Sequence, residues 1–189
     1  MTLRPLALSA LALLAACGGP GPLLIAVPPA PAEGRVGIGF ASVEVLEVSL
    51  PAYADGEEIF LQGQGGALTE AGGAVWADDP SRALTLDLSR ALGELTGAQT
   101  APDPWPFDDG PEAQVDVRLA EFAPDLTRGA FVLRGQYFVA SQDGSGRDRA
   151  AEFLVTAPLP PEPGPAAIAA ARAQATLTLA RQIAAEGLR

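Results

Sequence analysis

The sequence predicts an α+β fold in one domain, with a mostly antiparallel or mixed β-sheet and two long helices packed on it. Three observations favour this class. Apolar and polar residues alternate at strand period through much of residues 113–157, and apolar stripes at helical period occupy residues 80–95 and 166–186. The length of 189 residues is typical of a single domain.

The first part of the chain predicts strands. Apolar residues keep one parity as far as residue 40 and the other from residue 43, in the order Val36, Ile38, Phe40, Val43 and Val45. Because a one-residue slip exchanges the two faces of a strand, this pattern predicts one long strand with a bulge at residues 41–42. Residues 59–61 predict a second strand and the Gly-rich residues 63–73 a turn or hairpin tip. The apolar run 23–27 fits either an edge strand or linker.

The first helix has clear boundary signals. Asp79 is suited to the N-cap, Pro80 to the first turn and Gly97 to the C-terminal stop. Between them an apolar stripe runs at spacings of four, four and three, through Leu84, Leu88, Leu92 and Leu95.

The second half predicts three strands and a closing helix. Three alternating segments, joined by turn-rich links at residues 123–129 and 142–147, predict an antiparallel meander. After a Pro-rich connector, an Ala-rich segment carries one narrow apolar arc, formed by Ile168, Ala175, Leu179 and Ile183.

Composition excludes several function classes. The 23 acidic residues outnumber the 12 basic ones, all arginine, and the formal charge of −11 argues against a nucleic-acid partner. Without His there is no Ser-His-Asp arrangement, and without Lys no P-loop. One Cys forms neither an internal disulfide nor a Cys-rich zinc site. The sequence therefore predicts a protein that is not an enzyme and holds no cofactor or metal.

The N-terminus predicts a lipid anchor. An apolar run of twelve residues fits a signal peptide, and it ends in Leu14-Ala15-Ala16-Cys17, the lipobox pattern that precedes acylation of the cysteine. We expect a signal peptide over residues 1–16, a lipidated Cys17 with a flexible Gly/Pro tether over 17–34, and the folded domain over 35–189. Gly18 after the lipidated position favours the outer membrane, with the domain at its periplasmic face.

The remaining candidate sites are few. Asp78-Asp79 is explained by helix capping and Asp108-Asp109 by a polar loop, since adjacent carboxylates rarely form a catalytic pair. The segment 143–146 lacks the later ligands of a Ca²⁺ loop and predicts a turn. Trp76 and Trp105 either fill the rim of the core or face a partner.

Several segments together resemble one family. They are the lipobox, Leu50-Pro51-Ala52-Tyr53, Trp76-Ala77-Asp78-Asp79-Pro80 at a helix start, Pro104-Trp105 and the closing Ala-rich helix. In this order they resemble the PqiC-type ABC-transport auxiliary lipoproteins, which accompany MCE-domain proteins. The chain differs from that pattern in having Ala54 after the Tyr, and Gly56 where the family usually has Arg.

The resemblance implies a non-catalytic lipoprotein that docks on an MCE-domain (PqiB-like) protein and assists the passage of phospholipid between membranes. It marks Leu50, Pro51, Tyr53, Trp76 and Trp105 as candidate partner-binding residues, and self-association as a further possibility. A stand-alone envelope lipoprotein that binds a small apolar ligand is the alternative function. A hydrolase that uses carboxylates alone is a third.

Overall fold

The computed structural model describes residues 21–189, so the predicted signal peptide and Cys17 lie outside the described residues. The strands are β1 (Leu23–Ile25), β2 (Ser42–Val45), β3 (Glu58–Gln62), β4 (Leu68–Trp76), β5 (Gln99–Pro102), β6 (Ala113–Asp125), β7 (Ala130–Ser141) and β8 (Arg149–Pro158). The long helices are α1 (Pro80–Thr96) and α2 (Pro165–Gln182). Short 3₁₀ turns occupy Ala52–Ala54 and Gln64–Gly66, and α2 ends in a π turn over Ile183–Gly187.

Within residues 21–189, the eight strands form one mixed sheet, which confirms the predicted α+β class. Strand β6 is its centre. One edge of β6 pairs with β7, antiparallel, and the other edge pairs with β2 and then with β3, both parallel. The sheet continues from β2 to β5, from β3 through β4 to β1, and from β7 to β8.

The meander of β6, β7 and β8 is confirmed. Its two antiparallel ladders extend over nearly the full length of the strands, and one bulge interrupts β6 between Leu119 and Glu121. Buried residues alternate as the sequence predicts in β8 and in β6 up to Leu119, where Val115, Val117 and Val155 are each at most 4% exposed. Beside the β6–β7 turn, by contrast, residues 121–125 and 130–133 are buried without alternation.

The predicted long strand with a bulge at residues 41–42 is wrong. Only Ser42–Val45 forms a strand, and the chain before it crosses the ends of other elements. The Val36 N–H donates to Leu95 O at the end of α1, and the Gly39 N–H donates to Leu188 O. Val36 and Ile38 nevertheless pack on the core. The alternation therefore reflected core packing without a hydrogen-bonded ladder.

Three strands differ from the sequence expectations. The run 23–27, open between strand and linker, contains the edge strand β1, which pairs parallel with β4. The Gly-rich segment 63–73 forms a tip and most of β4, a strand that the sequence did not predict. Strand β5 lies in residues that the sequence left without an element, and it pairs parallel with β2.

Both helices begin and end near the predicted residues. The Arg82 N–H donates to Asp79 Oδ1 at 2.7 Å, and Gly97 closes α1 in the left-handed region with φ of 74°. The four leucines of its stripe are fully buried. Helix α2 packs on α1 and on β7 and β8, whereas α1 contacts β2 and β5. Among the described residues, we find no helix long and apolar enough to cross a membrane.

Candidate functional site

The segment that carries Leu50, Pro51 and Tyr53 is held between α1 and β6. On the helix side, the Val48 N–H donates to Thr85 Oγ1 at 2.9 Å, and Ser81 Oγ donates to Val48 O. On the sheet side, the Ser49 N–H donates to Val117 O at 3.0 Å. The backbone groups of Val48 and the N–H of Ser49 are thus paired before the chain turns at Pro51, and these hydrogen bonds fix the path of the segment.

Tyr53 is the polar end of an aromatic cluster. It lies in the 3₁₀ turn that follows Pro51, and its hydroxyl oxygen accepts a hydrogen bond from the Phe122 N–H at 3.0 Å. Its ring packs edge-to-face on Phe60, with centroids 6.3 Å apart. Burial raises the pKa of Tyr53 above its usual value, so the phenol stays protonated at neutral pH.

Trp76 lies at the centre of this cluster and is 3% exposed. Together with Tyr53, Phe60, Phe122 and Phe131 it lines a cavity of about 10 Å³. Such a volume accommodates at most one water molecule. The cluster is therefore a packed part of the core. Of the two interpretations of Trp76, a residue that fills the core or one that faces a partner, its burial agrees with the first.

Arg172 of α2 is buried against the cluster, with 1% exposure. Its guanidinium carbon lies 4.6 Å from the Trp76 ring centroid and 5.2 Å from that of Phe122. Its Nη2 donates to Pro80 O at 3.2 Å, whereas Nε has no hydrogen-bond partner among residues 21–189. The arginine is therefore held by two aromatic faces and a helix-start carbonyl.

Charge around Arg172 is only partly compensated. Burial lowers the pKa of Arg172 to about 10, although the carboxylates of Asp87, Asp78 and Asp79 act in the opposite direction. Burial also raises the pKa of Asp87, despite the nearby charges of Arg172 and Arg90. Both shifts show that the fold disfavours the charged forms here.

Arg172 was not among the predicted site residues, although the sequence carries a signal for it. The residue lies four positions after Ile168 and three before Ala175, which places it on the apolar stripe of α2 itself. A single charged residue on an otherwise apolar stripe predicts a buried polar contact. It does not say which residue supplies that contact.

A hollow of about 360 Å³ lies beside Arg172, between β1 and α1. Its walls are formed by Ile25 and Val27 on one side and by Leu86 on the other. Asp78 and Asp87 add carboxylates to the same lining. The hollow thus combines an apolar surface with the Arg172 guanidinium and with carboxylates that are paired with arginines of α1.

Trp105 lies in a separate loop between β5 and β6. Its indole Nε1 donates to Asp109 O at 2.6 Å, and its half-buried ring packs edge-to-face on Phe107, with centroids 5.0 Å apart. Phe107 is 46% exposed. The hydrogen bond fixes the loop, and the loop holds an aromatic ring in contact with solvent.

The structure therefore divides the candidate partner-binding residues between two places. Tyr53 and Trp76 meet at the aromatic cluster. Leu50 packs partly buried against the core beside them, and half-buried Pro51 begins the turn. Trp105 belongs to the loop at residues 103–112.

Two of the three acidic motifs have side-chain hydrogen bonds or ion pairs among the described residues. Asp79 caps α1, and Asp78 forms an ion pair with Arg82 one helical turn later. Asp143 lies in the β7–β8 turn, where it accepts hydrogen bonds from the Ser145 N–H at 2.9 Å and from Arg147 Nη2 at 2.7 Å. Hydrogen bonds from Ser145 and then from Arg147 lower the pKa of Asp143 to about 2.

Two solved structures share the fold. A crystal structure of an uncharacterized protein aligns with a TM-score of 0.67 at 18% identity and covers 82% of this chain and 99% of that chain. Protein XCC0632 from Xanthomonas campestris, of the DUF330 family, aligns with a TM-score of 0.64 at 21% identity and covers 89% and 93%. None of the curated proteins matches the chain in sequence.

A family comparison covers most of the described residues. The family model described as "ABC-type transport auxiliary lipoprotein component" matches residues 23–184. That range includes both helices, all eight strands and the aromatic cluster. The chain therefore belongs to the family of ABC-type transport auxiliary lipoprotein components.

Proposed function

We propose that this chain is a non-catalytic subunit of an MCE-type intermembrane lipid transport system, anchored by lipid at the periplasmic face of the outer membrane. Membership of the auxiliary lipoprotein family over residues 23–184 is the observation that carries the proposal. The resemblance to PqiC-type proteins supplies the expected partner, an MCE-domain protein. Any ATPase belongs to other subunits.

The anchor is acylated Cys17. Removal of residues 1–16 leaves 11 arginines against 23 acidic residues, a side-chain balance of −12. A surface of this charge is repelled by anionic lipid headgroups. Membrane attachment therefore depends on the acyl chains, and two or more chains give stable anchoring.

The contact with the MCE-domain protein is made by the loop of Trp105 and Phe107. Phe107 offers an exposed ring, and Trp105 beneath it is held by its bond to Asp109 O. Aromatic side chains that are rigid before binding lose little conformational entropy in a complex. In this proposal, Leu50, Pro51 and Tyr53 support the core. They affect binding only indirectly, because they fix the path of the chain.

The aromatic cluster is packed too tightly to be the ligand site of a stand-alone carrier, the alternative function. Ligand pockets usually measure roughly 300–1,000 Å³. The cavity among Tyr53, Trp76 and Phe122 measures about 10 Å³ and is filled by side chains. The hollow of about 360 Å³ beside Arg172 has that size, so the carrier alternative would place its ligand there. In the proposed function, lipid passes along the MCE assembly, with this chain at its end.

The proposal is tested by purification of the tagged protein from native membranes in mild detergent, followed by mass spectrometry of the partners and of the Cys17 peptide. We expect an acylated Cys17 and an MCE-domain protein at a fixed ratio. An acylated chain that is recovered alone would contradict the transport role and leave the carrier alternative.

The contact surface is tested with a matched pair of variants. Phe107→Ala should reduce the recovered MCE-domain protein at least tenfold, because it removes the exposed ring of the loop. Leu126→Ala removes a side chain of similar exposure, 45% against 46%, from the β6–β7 turn and should leave recovery unchanged. Equal recovery from both variants would exclude Phe107 from the interface.

A further inference from the structure

Strand β1 presents an apolar edge. It pairs with β4 on one side, with Leu23 opposite Ala74 and Leu24 opposite Val75, and within residues 21–189 no strand pairs with its other side. Leu23 is 59% exposed and Leu24 62%. Because neighbouring side chains of a strand point to opposite faces, the edge carries a leucine on each face.

The position of this edge in the chain ties it to the anchor. Leu23 follows Cys17 by six residues. Six residues span at most about 20 Å even when fully extended. If the lipid is on Cys17, as the proposed function requires, β1 is held within about 20 Å of the bilayer surface.

The apolar surface continues from β1 onto α1. Leu86, which is 40% exposed, shares the neighbouring hollow with Ile25 and Val27. The carboxylates of Asp78 and Asp87 line the same hollow, each paired with an arginine of α1, and the guanidinium of Arg172 lines it too. Apolar side chains beside paired charges suit a zwitterionic lipid surface, and the formal charge of −11 on the chain disfavours an anionic one.

We infer that the β1 edge, with Leu23 and Leu24 at its two faces, rests in the headgroup layer of the zwitterionic bilayer that holds the lipid anchor. The domain then has a fixed orientation, with β1 towards the membrane. Along its free edge, β1 has no strand partner within residues 21–189. Its backbone groups there limit the depth, because they require water or headgroups as hydrogen-bond partners.

The inference is tested with the full-length chain, acylated in membranes, purified and reconstituted into phosphatidylcholine vesicles. Tryptophan is introduced as L23W, and as L154W in a control. Leu154 on β8 is also 59% exposed and is far from Cys17 in sequence. Both variants also carry W105F, so that the buried Trp76 contributes the same background emission in each. The measured quantity is the loss of emission in vesicles with bromine on the upper acyl carbons.

We expect bromolipid to quench the added emission of the L23W variant at least twofold more than that of the L154W variant. Equal quenching would overturn the inference, since β1 would then be no closer to lipid than β8. If L23W were shielded from both bromolipid and aqueous acrylamide, protein and not lipid would cover β1, and the inference would also fail.

These outcomes are separate from a failure of the proposed function. A chain without lipid on Cys17 would not float with the vesicles and would show an unmodified Cys17 peptide by mass spectrometry, and this result would remove the premise of both. A missing MCE-domain partner would leave the vesicle result unchanged, because that protein takes no part in the assay.

Discussion

Two hydroxyl groups of α1 hold the backbone of Val48, a residue outside any strand. Thr85 Oγ1 accepts a hydrogen bond from the Val48 N–H at 2.9 Å and donates to Ser81 O at 2.8 Å, while Ser81 Oγ donates to Val48 O. All three residues are buried. Water therefore cannot replace either hydroxyl, and the path towards Tyr53 depends on them.

Thr85→Val tests this arrangement at a single atom. The substitution keeps the branched shape but leaves the Val48 N–H buried without a partner, so the free energy of unfolding should fall by about 1–3 kcal/mol. Thr178→Val is the matched control, because the Thr178 hydroxyl is exposed and donates to Gln174 O of its own helix. Its effect should stay within about 0.5 kcal/mol. Equal losses in urea unfolding would contradict the assignment.

Arg172 makes a second prediction at this scale. Because burial lowers the pKa of Arg172 to about 10, the fold disfavours its charge. Arg172→Met keeps most of the volume between Trp76 and Phe122 and removes the charge, so the free energy of unfolding should fall by less than about 1 kcal/mol or rise. Arg172→Ala leaves a cavity and should cost about 2–4 kcal/mol.

The two Arg172 variants are compared by urea unfolding monitored through tryptophan emission. A methionine variant as unstable as the alanine variant would show that the charge itself stabilises the fold. In that case the contacts to the two aromatic rings and to Pro80 O would outweigh the cost of burying the guanidinium.

At the scale of elements, the bulge in β6 determines that the residue opposite it on the neighbouring strand must be glycine. The register shifts between Leu119 and Glu121, opposite Gly135 of β7. A Cβ on Gly135 would clash with Arg118 O and lie 2.9 Å from Leu119 Cα, both of them backbone atoms that cannot rotate away. Glycine is therefore required by close approach of two strands.

Gly135→Ala should lower the free energy of unfolding by about 2–3 kcal/mol, as expected for overpacking against backbone. Gly72→Ala is the control, since Gly72 also lies in a strand but has no atom within 4 Å of an added Cβ. Its effect should be small. Similar unfolding midpoints for the two variants would mean that β6 shifts at no cost.

The helices and the meander were predictable because each carries its own signal. Asp79, Pro80 and Gly97 mark the ends of α1, and the meander strands are long and alternate. Strands β1 and β5 have three and four residues, too few to show a period, and β4 contains two adjacent glycines. Their pairing depends on partners distant in sequence. The partners of Arg172 could not be predicted for the same reason, since Trp76 and Pro80 lie more than ninety residues earlier.

For the whole molecule, acid should weaken the turns of the meander. Asp125 is 2% exposed, and burial by itself would raise its pKa. Hydrogen bonds from Thr127 and Arg128 together outweigh burial, so the pKa of Asp125 lies below its usual value. Hydrogen bonds also lower the pKa of Asp143, to about 2, and that of Asp148. A carboxylate with a lowered folded-state pKa stabilises the fold above its unfolded pKa and loses this contribution as pH falls.

We therefore expect the free energy of unfolding to decrease between about pH 5 and pH 2, measured by urea titration at each pH. Asp125→Asn should flatten this dependence. Asp87→Asn should steepen it, because burial raises the pKa of Asp87 and its protonation on folding favours the native state in acid. An unchanged slope in the Asp125 variant would contradict the role of that carboxylate.

The central place of β6 also constrains the order in which the molecule can fold. Val43 of β2 pairs with Ala113, and Gln62 of β3 pairs with Asp125, so both early strands wait for a partner synthesised more than sixty residues later. Strands β6, β7 and β8 need only their immediate neighbours. During synthesis from the N-terminus, the hairpin of β3 and β4 can form, but the sheet has no central strand until β6 is complete. Formation of the meander must therefore precede the pairing of β2 and β3 with β6.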